Sequence, residues 1–372
     1  MRILIYLPPG NRAVDQQSVM EMLAKNDHEV YLLTHAPEGD LHRNVQQYGV
    51  KTFSCNIPVG GLRNYYKHVR FLSNFIRKHK IAVVFAHLQA AGFIAGLTRL
   101  TTRFKFYYVR HNTDEHFLGK NRNAAIINWL SAKLASTIIA PSEKVYKYLT
   151  QSEKITPSKI IRVNYGYNFS QYLQTDRLGK AADIRDTYAC KMLVVSVARL
   201  IPVKRHLLMF DVIKRMVNNG LDVKFICLSD GVYRPVLEEY ISSNNLDQHF
   251  FLLGNQRNVF DYLEASDVFF HLSETEASNS SLKEAGFCKI PAIACNDVGD
   301  FDDYIENGVN GFLVDKADPV EPSLQALTTL YNDPALRKNL GENLYNTVVK
   351  EFSIEKVVPL YNKLLNSTNN KA

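Results

Sequence analysis

The sequence predicts an α/β protein built from two Rossmann-like, doubly wound parallel-sheet domains. Three observations carry that reading. The chain has 372 residues, more than one hydrophobic core ordinarily organises. Short apolar runs alternate with amphipathic stretches, once in each half, which is the rhythm of a parallel sheet with covering helices. Charge divides between the halves: residues 1–180 hold 25 Lys+Arg against 11 Asp+Glu, a net of +14, and the remainder holds 19 against 26, a net of −7.

In the first half the strand candidates are residues 3–7, 29–34, 82–86, 106–109, 137–140 and 160–163. Each is a short apolar run bounded by polar or turn residues. Residues 13–25, 65–78 and 124–134 repeat apolar side chains at helical spacing. Residues 166–190 lose the rhythm, and the linker is placed there, near 170. The domains are then 1–170 and 171–352, with a C-terminal helix, about 353–372, packing back on the first. The second series runs through 192–197, 206–218, 223–228, 232–244, 250–253 and 259–265, then the apolar runs 268–272 and 292–295. Helices at 320–332, 334–349 and 354–365 close the chain.

Composition is that of a globular protein, 46% apolar and 22% charged. The cysteines Cys55, Cys190, Cys227, Cys288 and Cys295 show no Cys-x-x-Cys spacing and read as small core residues in a reducing compartment. The opening MRILIYLPPG is too short for a signal-peptide core and reads as a first strand. The apolar stretch 81–97 contains His87 and Gln89, and reads as strand, loop and helix rather than a membrane span.

Residues 268–314 hold the densest chemistry. An apolar run ends in a polar loop with Glu276; Ser280 or Ser281 then caps a helix whose first turns carry Glu284. Strand, acidic loop, helix and strand in that order set both carboxylates at the carboxyl end of a parallel sheet, where open α/β sheets bind ligands. The helix start adds backbone N–H groups and a partial positive charge, which suit a phosphate.

At these residues the chain resembles the retaining family 4 (group 1) glycosyltransferases of GT-B fold. Val197-Ala198-Arg199-Leu200 with Lys204 is similar to that family's "GRL…K", and Ser229-Asp230-Gly231 to "GDG". Residues 262–268 resemble "YLAAADV", Glu276 and Glu284 keep the E-x7-E spacing, residues 291–298 resemble "PVIATDVG", and residues 306–314 resemble "DGENGLLV". An E-x7-E alone carries no weight; the ordered series over about 120 residues does. In the first half Ala86-His87, Arg110-His111, residues 139–142 and Tyr165-Gly166-Tyr167-Asn168 resemble the strand-end "H", "T-H", "VAVSE" and "NGVD" motifs.

The resemblance implies a transferase moving a hexosyl unit from a UDP- or GDP-sugar to a glycan or lipid-linked acceptor with retention of configuration, in bacterial cell-surface polysaccharide synthesis such as that of lipopolysaccharide. Arg199 and Lys204 would stabilise the leaving diphosphate. Glu284 would accept hydrogen bonds from the donor ribose, since a carboxylate suits a diol. Glu276 would face the donor sugar as an electrostatic and binding group rather than a nucleophile. Asn279, Ser280, Ser281 and Leu282 would cradle the diphosphate and sugar at the helix start. Gly10 would let the backbone approach the donor. His111 would act at the reacting sugar, although a lone histidine is more often structural. With His87, Asp114, Glu115 and His116 nearby a metal is conceivable, but the spacing is irregular; no metal and no cofactor are assigned, the nucleotide sugar being a substrate. Two rivals are a GT-B sugar-nucleotide epimerase and a catalytically silent nucleotide-binding partner protein.

The chain also departs from the family pattern. Ala277, Ser229, Lys289 and Asp300 stand where glycines are usual, and Asn168 where an aspartate is frequent. A helix near residues 62–80 carries Arg63, Lys67, Arg70 and Arg77 on one face, with Tyr65, Val69, Leu72 and Ile76 opposite. By itself this reads as a sheet-covering helix with a solvated charged face; the +14 surplus moves the reading to contact with an anionic membrane surface from the cytoplasmic side. No nucleic-acid motif accompanies the charge.

Overall fold

The computed structural model describes residues 1–8, 14–111, 122–169, 177–276 and 278–366. The chain divides into two compact units, residues 1–168 with 352–372, and residues 169–351.

The first unit holds a seven-stranded sheet in the order β3-β2-β1-β4-β5-β6-β7. Its strands are β1 (Arg2–Leu7), β2 (Glu29–Thr34), β3 (Lys51–Ser54), β4 (Val83–His87), β5 (Lys105–Val109), β6 (Thr137–Ala140) and β7 (Ile160–Arg162), all in parallel register. The central strands are covered on both faces, so β4 is buried at every residue. The helices are α1 (Val14–Lys25), α2 (Asp40–Gln46), α3 (Leu62–His79), α4 (Leu88–Arg99), α5 (Arg122–Leu134) and α6 (Glu143–Lys147). The sheet order reverses between β1 and β4, which makes their carboxyl ends the crevice of this unit.

Three of these elements have no counterpart in the periodicity. Helix α2 is seven residues long, helix α6 is five, and edge strand β3 is only partly buried, so none spans enough of a repeat to register. Helix α3 buries Leu72, Phe75 and Ile76, and ends at Lys80 in the left-handed region (φ 51°), with the Ile81 N–H donating to the Ile76 carbonyl at 3.0 Å.

The second unit holds a six-stranded parallel sheet, β10-β9-β8-β11-β12-β13. The strands are β8 (Met192–Val197), β9 (Val223–Leu228), β10 (Phe250–Gly254), β11 (Val268–His271), β12 (Ala292–Cys295) and β13 (Gly311–Val314). The helices are α7 (Arg177–Thr187), α8 (His206–Asn218), α9 (Arg234–Ser243), α10 (Val259–Ala265), α11 (Ser280–Phe287), α12 (Phe301–Tyr304), α13 (Val320–Asn332) and α14 (Pro334–Phe352). The order reverses between β8 and β11. Helix α7 lies inside the stretch read as rhythmless linker: it is polar, buries Ala181, and is tied down by Arg185, which donates to Asp267 at 2.6 Å. Arg185 also donates to the Cys190 carbonyl at 3.0 Å, and a helix fastened largely by polar bonds leaves no apolar period to read.

The last helix, α15 (Ile354–Asn366), packs on α1 of the first unit, and the Tyr107 hydroxyl donates to the Leu364 carbonyl at 2.7 Å. All five cysteines are unpaired. No described helix is long and apolar enough to cross a membrane.

Candidate functional site

The second unit gathers its polar side chains at the β8/β11 reversal. Beyond β8, residues Pro202–Lys204 form one 3₁₀ turn that presents Lys204. Beyond β11 the loop is tied to that turn, the Glu274 N–H donating to the Val203 carbonyl at 2.9 Å. Glu276 thereby meets three donors on a single oxygen. Its Oε1 lies 2.5 Å from Lys204 Nζ, 2.7 Å from His271 Nε2 and 3.1 Å from Asn279 Nδ2. Burial pushes the Glu276 carboxyl up, but the bonds and charges of His271 and Lys204 outweigh it and hold the group well below the usual carboxylate range. His206, at the start of α8, is buried with neither ring nitrogen partnered; burial, then the neighbouring His271 and Lys204, press its pKa down to about 3.

His271 and His206 were not singled out by sequence reasoning. A histidine closing a fully buried strand is the one signal that marks His271, and it is shared by many structural histidines. Arg199 behaves differently from Lys204: it is exposed and joins no side chain among the described residues.

Helix α11 begins at Ser280, and its N-cap is Asn279, not Ser280 or Ser281. The Asn279 Oδ1 accepts from the Leu282 N–H at 2.8 Å, while its Nδ2 serves Glu276. Asn279 wins because its amide offers an acceptor for the helix and a donor for the carboxylate, which one hydroxyl cannot do at both distances. The first-turn amides of α11 lack acceptors within the helix. Glu284 lies on the next turn and is buried.

Beneath this turn is a wholly buried ion pair. Lys283 Nζ donates to Asp300 Oδ2 at 2.7 Å and to Ser278 Oγ at 2.9 Å, and Ser278 Oγ donates to the same Asp300 oxygen at 2.6 Å. Both charged side chains are 0% exposed. Asp300, where the family pattern has a glycine, thus anchors the loop that carries Glu276. A buried pair contributes little net stability compared with an apolar one of the same shape, but losing one partner is costly. Two other departures stand in the left-handed region that favours glycine: Ser229 has φ 107° and Lys289 has φ 60°. Gly231 is required by contact, since a Cβ there would lie 2.2 Å from the Leu200 carbonyl oxygen. Ala277 lies outside the described residues.

In the first unit, His111 follows β5 and is bonded on both ring nitrogens. Its Nε2 is 2.9 Å from His87 Nδ1, at the end of β4, and its Nδ1 is 2.5 Å from the Tyr165 hydroxyl, beyond β7. Burial lowers the His111 pKa to about 4; burial, then His111, lowers that of His87 well below the ordinary value. Arg110 is a core residue: its guanidinium meets the Glu153 carboxylate at 2.7 and 3.2 Å. Gly10, Asp114, Glu115 and His116 lie outside the described residues.

The Glycosyltransferase Family 4 model matches residues 17–171, and the Glycosyl transferases group 1 model matches residues 184–347. The N-acetyl-alpha-D-glucosaminyl L-malate synthase of Bacillus anthracis is 25% identical, over 70% of this chain and 67% of that protein. The alpha-monoglucosyldiacylglycerol synthase of Acholeplasma laidlawii is 25% identical, over 95% of this chain and 94% of that protein. The crystal structure of Anabaena Alr3699/HepE in complex with UDP-glucose matches with a TM-score of 0.84 at 20% identity, covering 99% of this chain and 100% of that one. A likeness at that identity shows the fold.

Proposed function

The chain belongs to the GT-B glycosyltransferases of group 1 and family 4, and from that premise we propose that it moves a hexosyl unit from a UDP- or GDP-sugar to a glycan or lipid-linked acceptor with retention of configuration. The observation that carries the donor half is the cluster at the β8/β11 reversal. Lys204, His271 and Asn279 converge on Glu276 beside the N-terminus of α11. This surplus of donors around one carboxylate suits a nucleoside diphosphate with roughly two negative charges. The UDP-glucose held by the Anabaena protein supports a uridine donor.

In this reading the C1–O bond to the diphosphate breaks as the acceptor oxygen bonds to C1 on the same face. The acceptor proton passes to the departing phosphate. Lys204 and the α11 amides take up the charge that develops on the leaving group, with Arg199 as a second, exposed cation. Asn279, Ser280, Ser281 and Leu282 form the cradle. Glu276 organises the sugar rather than attacking it, its Oε1 being engaged by Lys204, His271 and Asn279. The first unit binds the acceptor, and His111 sits at the reacting sugar.

Glu284 accepts the ribose hydroxyls. Glu284→Ala is expected to weaken UDP-sugar binding at least about tenfold, since hydrogen bonds to a charged group contribute about 1.5–3 kcal/mol each. Titration calorimetry reads this directly, and a wild-type Kd would remove Glu284 from the donor site. A thermal-shift series with UDP-, GDP- and CDP-sugars selects the base, since the donor raises the apparent stability of the unit that binds it.

The acceptor class gains support from α3. Its outward face exposes Leu62, Tyr66 and Phe71 among Arg63, Lys67, Arg70, Arg77 and Lys78, and the helix contains no acidic residue. Basic and apolar side chains on one face suit an anionic bilayer surface, where a lipid-linked acceptor would be met. The protein is expected to co-sediment with vesicles containing phosphatidylglycerol and not with neutral ones. Arg63→Glu with Lys67→Glu should abolish that; equal binding to both vesicle types would refute membrane contact through this face.

A further inference from the structure

We infer that Tyr165 and His87 are the positioning residues of His111, holding its ring between one bond on each nitrogen so that it carries a single, defined proton arrangement. This rests on the reading that places His111 at the reacting sugar.

Three strands supply the three groups. His87 ends β4, His111 lies two residues beyond β5, and Tyr165 lies beyond β7, all at the carboxyl edge of the first sheet. His87 and Tyr165 are 6% and 8% exposed, and both line one small cavity with Ile5, Asp15 and Val19. The bonds are 2.9 Å from His87 Nδ1 to His111 Nε2 and 2.5 Å from His111 Nδ1 to the Tyr165 oxygen. Burial keeps both imidazoles neutral at pH 7, so each has one N–H and one lone pair.

That leaves two senses for the chain. In one, the Tyr165 hydroxyl donates to His111 Nδ1, His111 Nε2–H donates to His87 Nδ1, and His87 carries its proton on Nε2. In the other, His87 Nδ1–H donates to His111 Nε2, and His111 Nδ1–H donates to the tyrosine oxygen. The sense is chosen for the whole chain at once, so the direction of the Tyr165 hydroxyl and the nitrogen of His111 that carries the proton are set together. Tyr165 stands at the first position of the stretch that resembles "NGVD", so this device is written into the present chain by one residue. The backbone beside it is strained: Leu88, directly after His87, has φ 66°. A non-glycine residue held in that region costs energy and is retained where the neighbouring geometry is needed.

Long-range ¹H–¹⁵N correlation spectra of ¹⁵N-histidine-labelled protein read the tautomer of His111 without substrate. The wild type is expected to show one tautomer, and Tyr165→Phe a mixture. Turnover of Tyr165→Phe with the UDP- or GDP-sugar that gives the largest thermal shift should fall between about tenfold and 10²-fold, with KM within about twofold, since a displaced group costs turnover rather than binding. His87→Asn, whose amide reaches the position of Nδ1, should keep the wild-type tautomer and rate, whereas His87→Leu should not. An unchanged tautomer in Tyr165→Phe, with His111→Ala inactive, would overturn this inference alone. A fully active His111→Ala enzyme would overturn the placement of His111 at the reaction, and this inference with it.

Discussion

Lys204→Met is expected to slow transfer by about 10²–10³-fold while leaving the fold and most of the donor affinity in place. The magnitude is that of removing one preorganised donor from a developing oxyanion, about 2.7–4 kcal/mol. Methionine keeps the length and apolar packing of the lysine stem and deletes only the charge, so lost packing does not enter the comparison. Lys204 is held by Glu276 at 2.5 Å, and its turn is stitched to the Glu276 loop through Val203. The ammonium is therefore in place when charge builds on the leaving phosphate, and little reorganisation is needed at that moment. Steady-state turnover with the UDP- or GDP-sugar that gives the largest thermal shift measures the loss, and calorimetry separates it from binding. Wild-type kcat in the variant would remove Lys204 from leaving-group stabilisation.

The first unit is expected to lose stability steeply as pH falls from 6.5 toward 5, ahead of the second. In that unit His35 is buried with both ring nitrogens unpartnered, and burial, then the nearby His68, presses its pKa to about 3. His111 is lowered to about 4 by burial, and His87 is lowered in the same direction. Above pH 6.5 these groups are neutral in folded and unfolded chains alike and contribute no pH dependence. Below pH 6.5 the unfolded chain takes up protons that the folded one refuses. Each such histidine then removes about 1.4 kcal/mol per pH unit until its folded pKa is reached, so three remove about 4.

In the second unit only His206 is pressed down to a comparable value among the described residues. Glu276 acts in the same direction there, but at lower pH. Its folded pKa lies below the unfolded one, so its contribution persists above the unfolded value near 4.5 and is lost only as pH falls toward the folded one. Calorimetric scans at pH 7.5, 6.5, 5.5 and 5.0 should show one transition moving down faster than the other. Two transitions moving in parallel, or neither moving, would refute the assignment.

The two sheets were legible because parallel strands buried on both faces are written as uninterrupted apolar runs; β2 and β6 fall on residues 29–34 and 137–140 as read. Helix α7 was not legible, because a polar helix fastened by Arg185 to Asp267 leaves no apolar period. Glu276 and Glu284 were read from their spacing in a strand–loop–helix context, and the structure sets Glu276 in the cluster with Lys204 and His271 and buries Glu284. The cap was misplaced by one residue, because a serine and an asparagine are equally good caps until the second duty of Asn279, to Glu276, is seen. His271 closes an apolar run and reads as core; only its 2.7 Å approach to Glu276 separates it from a structural histidine.

The sequence by itself determined the order of strands and helices, the family, and the residue types brought to the carboxyl ends of the strands, because periodicity and motif spacing are local properties of a chain. Tertiary structure alone decided which of those groups meet. Lys204 and Glu276 are 72 residues apart, Lys283 and Asp300 are 17 apart, and His111 and Tyr165 are 54 apart. A hydrogen bond is won or lost over a few tenths of an ångström and a modest angle, and packing between distant segments sets distances on that scale where sequence separation does not.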